Sequence, residues 1–160
     1  METPSYPLFR EPQYLLSLAT KIVAVSRDER LDIVHAHYAV PHATAAYLAE
    51  QVIRADASLC GLRTVTTLHG TDITLLARDP NLAPIIKYST ESSCGVTAVS
   101  HSLAEETAQV LDTKKQIEVI HNFFAPRPPG RSPEVVRRDL GLGDEVVVVH
   151  SSNLRPGKRV

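Results

Sequence analysis

The sequence predicts an α/β protein built on a parallel sheet. Short apolar and β-branched runs alternate with amphipathic runs along nearly the whole chain, and the short runs are continuously apolar rather than alternating. Strands of a parallel sheet read that way because helices cover both sheet faces, and the alternation is the signature of βαβ units. A third observation concerns chemistry. All seven histidines, His35, His37, His42, His69, His101, His121 and His150, fall at the carboxyl end of an expected strand or in the loop after it. In open α/β sheets that edge is where ligands bind.

Taken in order, Pro12 suits a helix first turn, and Tyr14, Leu15, Leu18, Ile22 and Val25 follow at helical spacing up to the charged RDER. LDIVHA (31–36) predicts a strand. ATAAYLAEQVIRA (43–55) predicts a helix with Ala45, Leu48, Ala49 and Val52 on its buried face. RTVTTL (63–68) predicts a strand, PNLAPIIKYSTESS (80–93) a helix, CGVTAV (94–99) a strand, SLAEETAQVL (102–111) a helix and QIEVIH (116–121) a strand. Residues 122–133, NFFAPRPPGRSP, hold four prolines and a glycine, which suit a semi-rigid connector. PEVVRRDLG predicts a short helix with Pro133 at its start and Gly141 at its end, and EVVVVH (145–150) reads as the strongest strand. The expected domains are therefore residues 1–121, a linker at 122–133, and the start of a second domain at 134–160. A strand such as EVVVVH needs neighbours, and the proline-bearing start METPSYPLFREPQY has no basic region followed by an apolar core. Together they predict an internal piece of a longer protein.

Composition narrows the function classes. The chain has 160 residues, 43% apolar and 22% charged, and no apolar run near the roughly 20 residues of a membrane span. Its net charge is −1, so no global basic field draws it to nucleic acid or anionic lipid. Cys60 and Cys94 have neither metal-ligand spacing nor the density of a disulfide scaffold, and are expected to be reduced, partly buried thiols of a cytoplasmic protein. Self-association into a homo-oligomer stays open.

In HAHYAVPHA, His35 and His37 share a strand face, Tyr38 starts the loop and Pro41 precedes the helix. The pair either packs against the sheet or forms part of a metal site, for which Asp72 is the one carboxylate on offer among the strand ends. In HGTD, Gly70 permits φ > 0 or close ligand approach, Thr71 or Asp72 can cap the following turn, and His69 projects from the strand end. In VSHS, Ser100 or Ser102 can cap the next helix, with Glu105 or Glu106 completing a capping box. Asn122 is either turn chemistry or a ligand-facing amide. The loop SSNLRPGKRV places Asn153, Arg155, Lys158 and Arg159 beyond the last expected strand, a local cationic cluster able to hold a diphosphate or to sit solvated at the surface. The Walker and dinucleotide glycine patterns are missing.

In series, VHAHYAVPHATAAYLA, TVTTLHGTDIT, VTAVSHSLAEET, IEVIHNF and HSSNLRPGKRV resemble the retaining glycosyltransferases of family 4. They are most similar to the branch that glycosylates L-malate in the first step of bacillithiol biosynthesis. The resemblance implies a GT-B architecture of two Rossmann-like domains facing a cleft, of which this chain would be most of the first and the beginning of the second. It implies transfer of N-acetylglucosamine from UDP-GlcNAc to the L-malate hydroxyl with retention, no metal and no other cofactor. Carried over residue by residue, Tyr38 and Thr67 would line the acceptor pocket, and His69 with Gly70 would lie beside the transferred sugar. Asn153, Arg155 and Lys158 would meet the diphosphate, with His69 and Lys158 the catalytic pair. Half the cleft would be missing, so the 160 residues alone are expected not to catalyse transfer. Another family 4 acceptor, such as an inositol or a lipid-linked sugar, and a metal-dependent hydrolase using His35, His37, His69 and Asp72, are the alternatives.

Overall fold

A computed structural model describes residues 14–56 and 61–151 of the chain. It divides into two compact units, residues 1–123 and 124–160.

The first unit is a four-stranded parallel sheet with helices. Its elements are α1 (Tyr14–Glu29), β1 (Ile33–His37), α2 (Thr44–Arg54), β2 (Arg63–Leu68), the short α3 (Thr71–Thr74), α4 (Ala83–Ser92), β3 (Gly95–Ala98), α5 (His101–Val110) and β4 (Glu118–Val119). A wide turn over Ala39–Ala43 joins β1 to α2, and a single 3₁₀ turn at Leu76–Arg78 follows α3. The strands lie in the order β1-β2-β3-β4, with His37 opposite Thr67 and Thr67 opposite Thr97. Each expected helix and strand of this unit is present, with ends displaced by a few residues where capping and pairing decide them.

Strand order corrects one expectation. Each strand lies beside the next in sequence, and parallel crossovers that follow the general right-handed rule while stepping in one direction put every connecting helix on the same side of the sheet. That side carries Val34, Ala36, Thr66, Leu68, Val96 and Ala98. Leu68, Val96 and Ala98 pack with Ile73, Ile86, Leu103 and Leu111 in one cluster, while Val34 packs beside Val23, Ala49, Ile53 and Leu62 in another. The other side presents Ile33, His35, His37, Arg63, Val65, Thr67 and Thr97 by strand alternation. Ile33 is 58% exposed there, and His35, His37 and Arg63 are exposed too. Among the described residues the sheet is thus helix-covered on one face, not on both.

Hydroxyls stitch the covered side. Thr66 and Ser93 meet at 2.7 Å, Thr44 and Ser89 at 2.8 Å, and the Thr64 hydroxyl donates to Glu50 Oε2 at 3.0 Å. Glu50 is buried and its other oxygen lies 2.5 Å from the Arg54 guanidinium. The buried face of α2 is Ala45, Ala46, Ala49, Glu50 and Ile53, while Val52 is half exposed. The helix is therefore turned by about one residue from the expected Leu48/Val52 stripe, because small alanines allow α2 to approach the sheet closely. Cys94 is a free, exposed thiol rather than a partly buried one, and Cys60 lies outside the described residues.

β4 is shorter than QIEVIH suggests. It pairs only through Glu118 and Val119, with one further bond from Ile120 N–H to the Ala98 carbonyl, because its neighbour β3 is itself four residues long. In the second unit, α6 (Pro133–Asp139) starts at Ser132, whose hydroxyl accepts from Val135 N–H, and ends before Gly141 at φ 66°. EVVVVH forms no ladder among the described residues. Val146, Val148 and Val149 are each more than 80% exposed, since an apolar run becomes a strand only beside another strand. No described helix is long and apolar enough to cross a membrane.

Candidate functional site

The carboxyl edge of β1 and β2 gathers His35, His37, Tyr38, Thr67 and His69 in mutual contact. β1 ends at His37, and one further ladder bond, Tyr38 N–H to the Thr67 carbonyl at 2.9 Å, carries the pairing past the strand. Tyr38 then takes φ 76° and ψ 141°, a left-handed conformation that side chains disfavour, and the chain swings into the turn before α2. At the end of β2, Gly70 takes φ 117°, and its carbonyl accepts from Ile73 and Thr74 to start α3. Both loops leave the sheet through a residue with positive φ.

Strand alternation puts His35, His37 and Thr67 on the open face, where two polar chains form. His35 Nε2 meets the Thr67 hydroxyl at 2.7 Å, and that hydroxyl meets Thr97 Oγ1 at 2.7 Å. His37 Nδ1 meets His69 Nε2 at 2.7 Å, one ring donating and the other accepting. The two chains touch, because the His35 and His37 rings stack at 4.6 Å. The Tyr38 ring lies 4.9 Å from His69 and 6.3 Å from His42. His42 donates from Nδ1 to the His37 carbonyl at 2.6 Å, and its Nε2 lies 3.5 Å from the Tyr14 hydroxyl.

Partial loss of water lowers the pKa of both His69 and the more exposed His35, whose ring is shielded on one side by the stacked His37 ring, and the nearby His37 lowers each further; at His69 the negative charge of Asp72 opposes the shift. At neutral pH His69 is thus a neutral imidazole, a hydrogen-bonding group rather than a cation. Neutral imidazoles and a phenol ring on one partly exposed edge, backed by the buried Thr67 and Thr97 hydroxyls, suit a polyol or hydroxy-acid ligand, whose oxygens need several donors and acceptors at close spacing.

Of the sequence-selected residues, Tyr38, Thr67, His69 and Gly70 come together here, across the adjacent ends of β1 and β2. Asn153, Arg155 and Lys158 lie outside the described residues. Asp72 corrects the expectation of a helix cap and weakens the metal-hydrolase alternative. It is fully buried, Oδ1 accepts from Gly70 N–H at 3.1 Å, and Oδ2 accepts from Ala39 N–H at 3.0 Å, so its carboxylate faces backbone rather than the histidines' open side. Ser100 caps α5 by accepting from Leu103 N–H at 3.1 Å. The N3 position is therefore Leu103, and no capping box forms; Glu106 pairs instead with Arg78 at 2.8 Å. His101 and His121 stand edge to face at 5.8 Å, with His121 Nδ1 donating to the Val99 carbonyl, and Asn122 is exposed. Nothing in the local sequence marks Thr97 as part of this edge. The register that puts it beside Thr67 is non-local, although both threonines precede a strand end in similar positions.

A parallel α/β sheet with its polar groups gathered on the carboxyl edge is the architecture of a Rossmann-like glycosyltransferase domain. Residues 1–128 match the family model described as Glycosyltransferase Family 4, and the chain belongs to that family. Over 157 residues the chain is 43% identical to N-acetyl-alpha-D-glucosaminyl L-malate synthase of Bacillus anthracis. The aligned stretch is 97% of this chain but 40% of that relative, so the chain spans about two fifths of the relative's length.

Proposed function

We propose that this chain is the acceptor-side part of a retaining transferase that moves N-acetylglucosamine from UDP-GlcNAc to the hydroxyl of L-malate. The observation that carries the reading is the 43% identity, over nearly the whole chain, to a relative bearing that name. The carboxyl edge of β1 and β2 is consistent with it, as it gathers a phenol, a hydroxyl and a neutral imidazole within one small area.

In this reading Tyr38 and Thr67 face malate. His69, neutral at working pH, and Gly70 lie beside the transferred sugar. As the bond to the anomeric carbon breaks, negative charge grows on the departing diphosphate. Lys158, with Arg155 and Asn153, would stabilise that charge more than the ground state, which is what lowers a barrier. No metal enters the scheme, because fixed cations take that role, and the leaving phosphate takes the acceptor's proton. The substrates are water-soluble metabolites, in keeping with a cytoplasmic location.

Titrating L-malate into the isotopically labelled chain tests the acceptor half. The signals of Tyr38, Thr67 and His69 should shift together, and Tyr38→Phe should weaken the response. An inositol that shifts the same signals while malate leaves them unmoved would transfer the reading to another family 4 acceptor.

A further inference from the structure

We infer that Asp72 is a positioning residue that locks the two ligand-facing loops to each other. Beyond the Tyr38–Thr67 bond the backbones of β1 and β2 separate, and no further ladder bond joins them. The Asp72 carboxylate takes over where the ladder ends. One oxygen accepts from Ala39 N–H, the amide directly after Tyr38, and the other accepts from Gly70 N–H, the amide directly after His69. One amide follows Tyr38, at φ 76°, and the other belongs to Gly70, at φ 117°. Such conformations persist only when their surroundings over-determine them.

The carboxylate is fully buried, so water does not compete for either amide. A charged acceptor makes these bonds stronger than amide–carbonyl bonds. Asp72 also adjoins Ile73, a fully buried member of the main apolar cluster, so the clamp is anchored in the core rather than in a loop. The consequence is that the Tyr38 ring and the His69 ring, 4.9 Å apart, have their spacing set through one side chain that need not touch any ligand. This inference rests on the proposed function for the identity of the ligands, acceptor at Tyr38 and donor sugar at His69. The geometry of the clamp does not depend on it.

Asp72→Asn is the discriminating change. It keeps the shape but replaces one acceptor oxygen with an NH₂ that cannot accept a backbone N–H. In the labelled 160-residue chain, hydrogen exchange at Ala39 or Gly70 should become roughly ten- to a hundredfold faster while Leu68 and Val96 in the sheet keep their protection. The His69 ring signals should shift with them. In the longest product of the gene, UDP-GlcNAc turnover should fall by about a hundredfold, with the donor KM changed far less than kcat, as expected for misplaced reacting groups.

Unchanged exchange at both amides, or a uniform change across the sheet, would overturn the clamp. Should the variant fail to fold, scalar couplings across the hydrogen bonds, from Ala39 and Gly70 nitrogens to the Asp72 carboxyl carbon in the unaltered chain, decide the matter by their presence or absence. Localised exchange with no UDP-GlcNAc turnover by the unaltered enzyme would uphold the clamp and sink the proposed reaction. Normal turnover by the Asn variant would overturn the positioning role of Asp72 and leave the proposed reaction standing.

Discussion

Tyr38 is the residue at which structure makes its sharpest quantitative demand. At φ 76° its Cβ crowds the backbone, a strain of about 1 to 3 kcal/mol for a side-chain-bearing residue. Glycine relieves that strain but makes the unfolded chain more flexible, a cost of about 0.4 to 1 kcal/mol. Comparing Tyr38→Gly with Tyr38→Ala cancels the loss of the ring, since both lack it. The Gly variant should therefore be more stable than the Ala variant by about 1 kcal/mol, the reverse of the usual order at an ordinary position. Urea unfolding followed by far-ultraviolet circular dichroism measures this directly. Equal stability, or an advantage for alanine, would mean that Tyr38 is not held in the left-handed conformation. The explanation of how it reaches His69 would then be wrong.

Two further perturbations probe the same unit. With the pKa values of His35 and His69 lowered in the folded chain from the ordinary 6.5, the unfolded chain binds more protons as pH falls through that value, so stability should drop on acidification. It should be insensitive well above that value, fall as pH drops through it, and fall less steeply in a His35→Gln, His69→Gln double variant, as read from urea midpoints at each pH. The second is Glu50→Ala, which removes the acceptor of the buried Thr64 hydroxyl and should cost about 2 to 3 kcal/mol, whereas the Arg54 side chain, 57% exposed, simply re-solvates. Adding Thr64→Val should restore about 1 kcal/mol by removing the orphaned hydroxyl, and a double-mutant cycle with no coupling would contradict the pairing.

How legible the fold was follows from which interactions are local. RTVTTL is bounded by Gly61 and Gly70, and it became β2 over the residues expected. Helix α5 starts where Ser100 can cap it, a signal carried within four residues. EVVVVH carries as strong a local strand signal, yet it finds no partner among the described residues, because pairing is decided by what lies alongside and not by the run itself. The open sheet face was hidden for a related reason: continuously apolar or β-branched strands suggest cover on both sides, but the cover depends on strand order, which no single strand encodes.

The site divides the same way. His35 and His37 on one face follows from a two-residue repeat, and His69 and Gly70 at a strand end follows from the break in RTVTTL. The contacts between them needed the register of β1 against β2, which joins residues thirty-odd positions apart. The positive φ of Tyr38 had no sequence signal, since tyrosine does not advertise a left-handed turn as glycine does. The part that Asp72 plays is likewise non-local. An Asp after Gly-Thr at a strand-to-helix junction is a good cap candidate, but here its oxygens reach back to Gly70 and across to Ala39.

The most direct test of the central claim is acceptor-dependent release of UDP from UDP-GlcNAc by the longest product of this gene, with the anomeric configuration of the product read by NMR. The account predicts release that depends on L-malate and an α-linked N-acetylglucosaminyl malate. Release that is indifferent to malate but dependent on another acceptor, or a β-linked product, would contradict it.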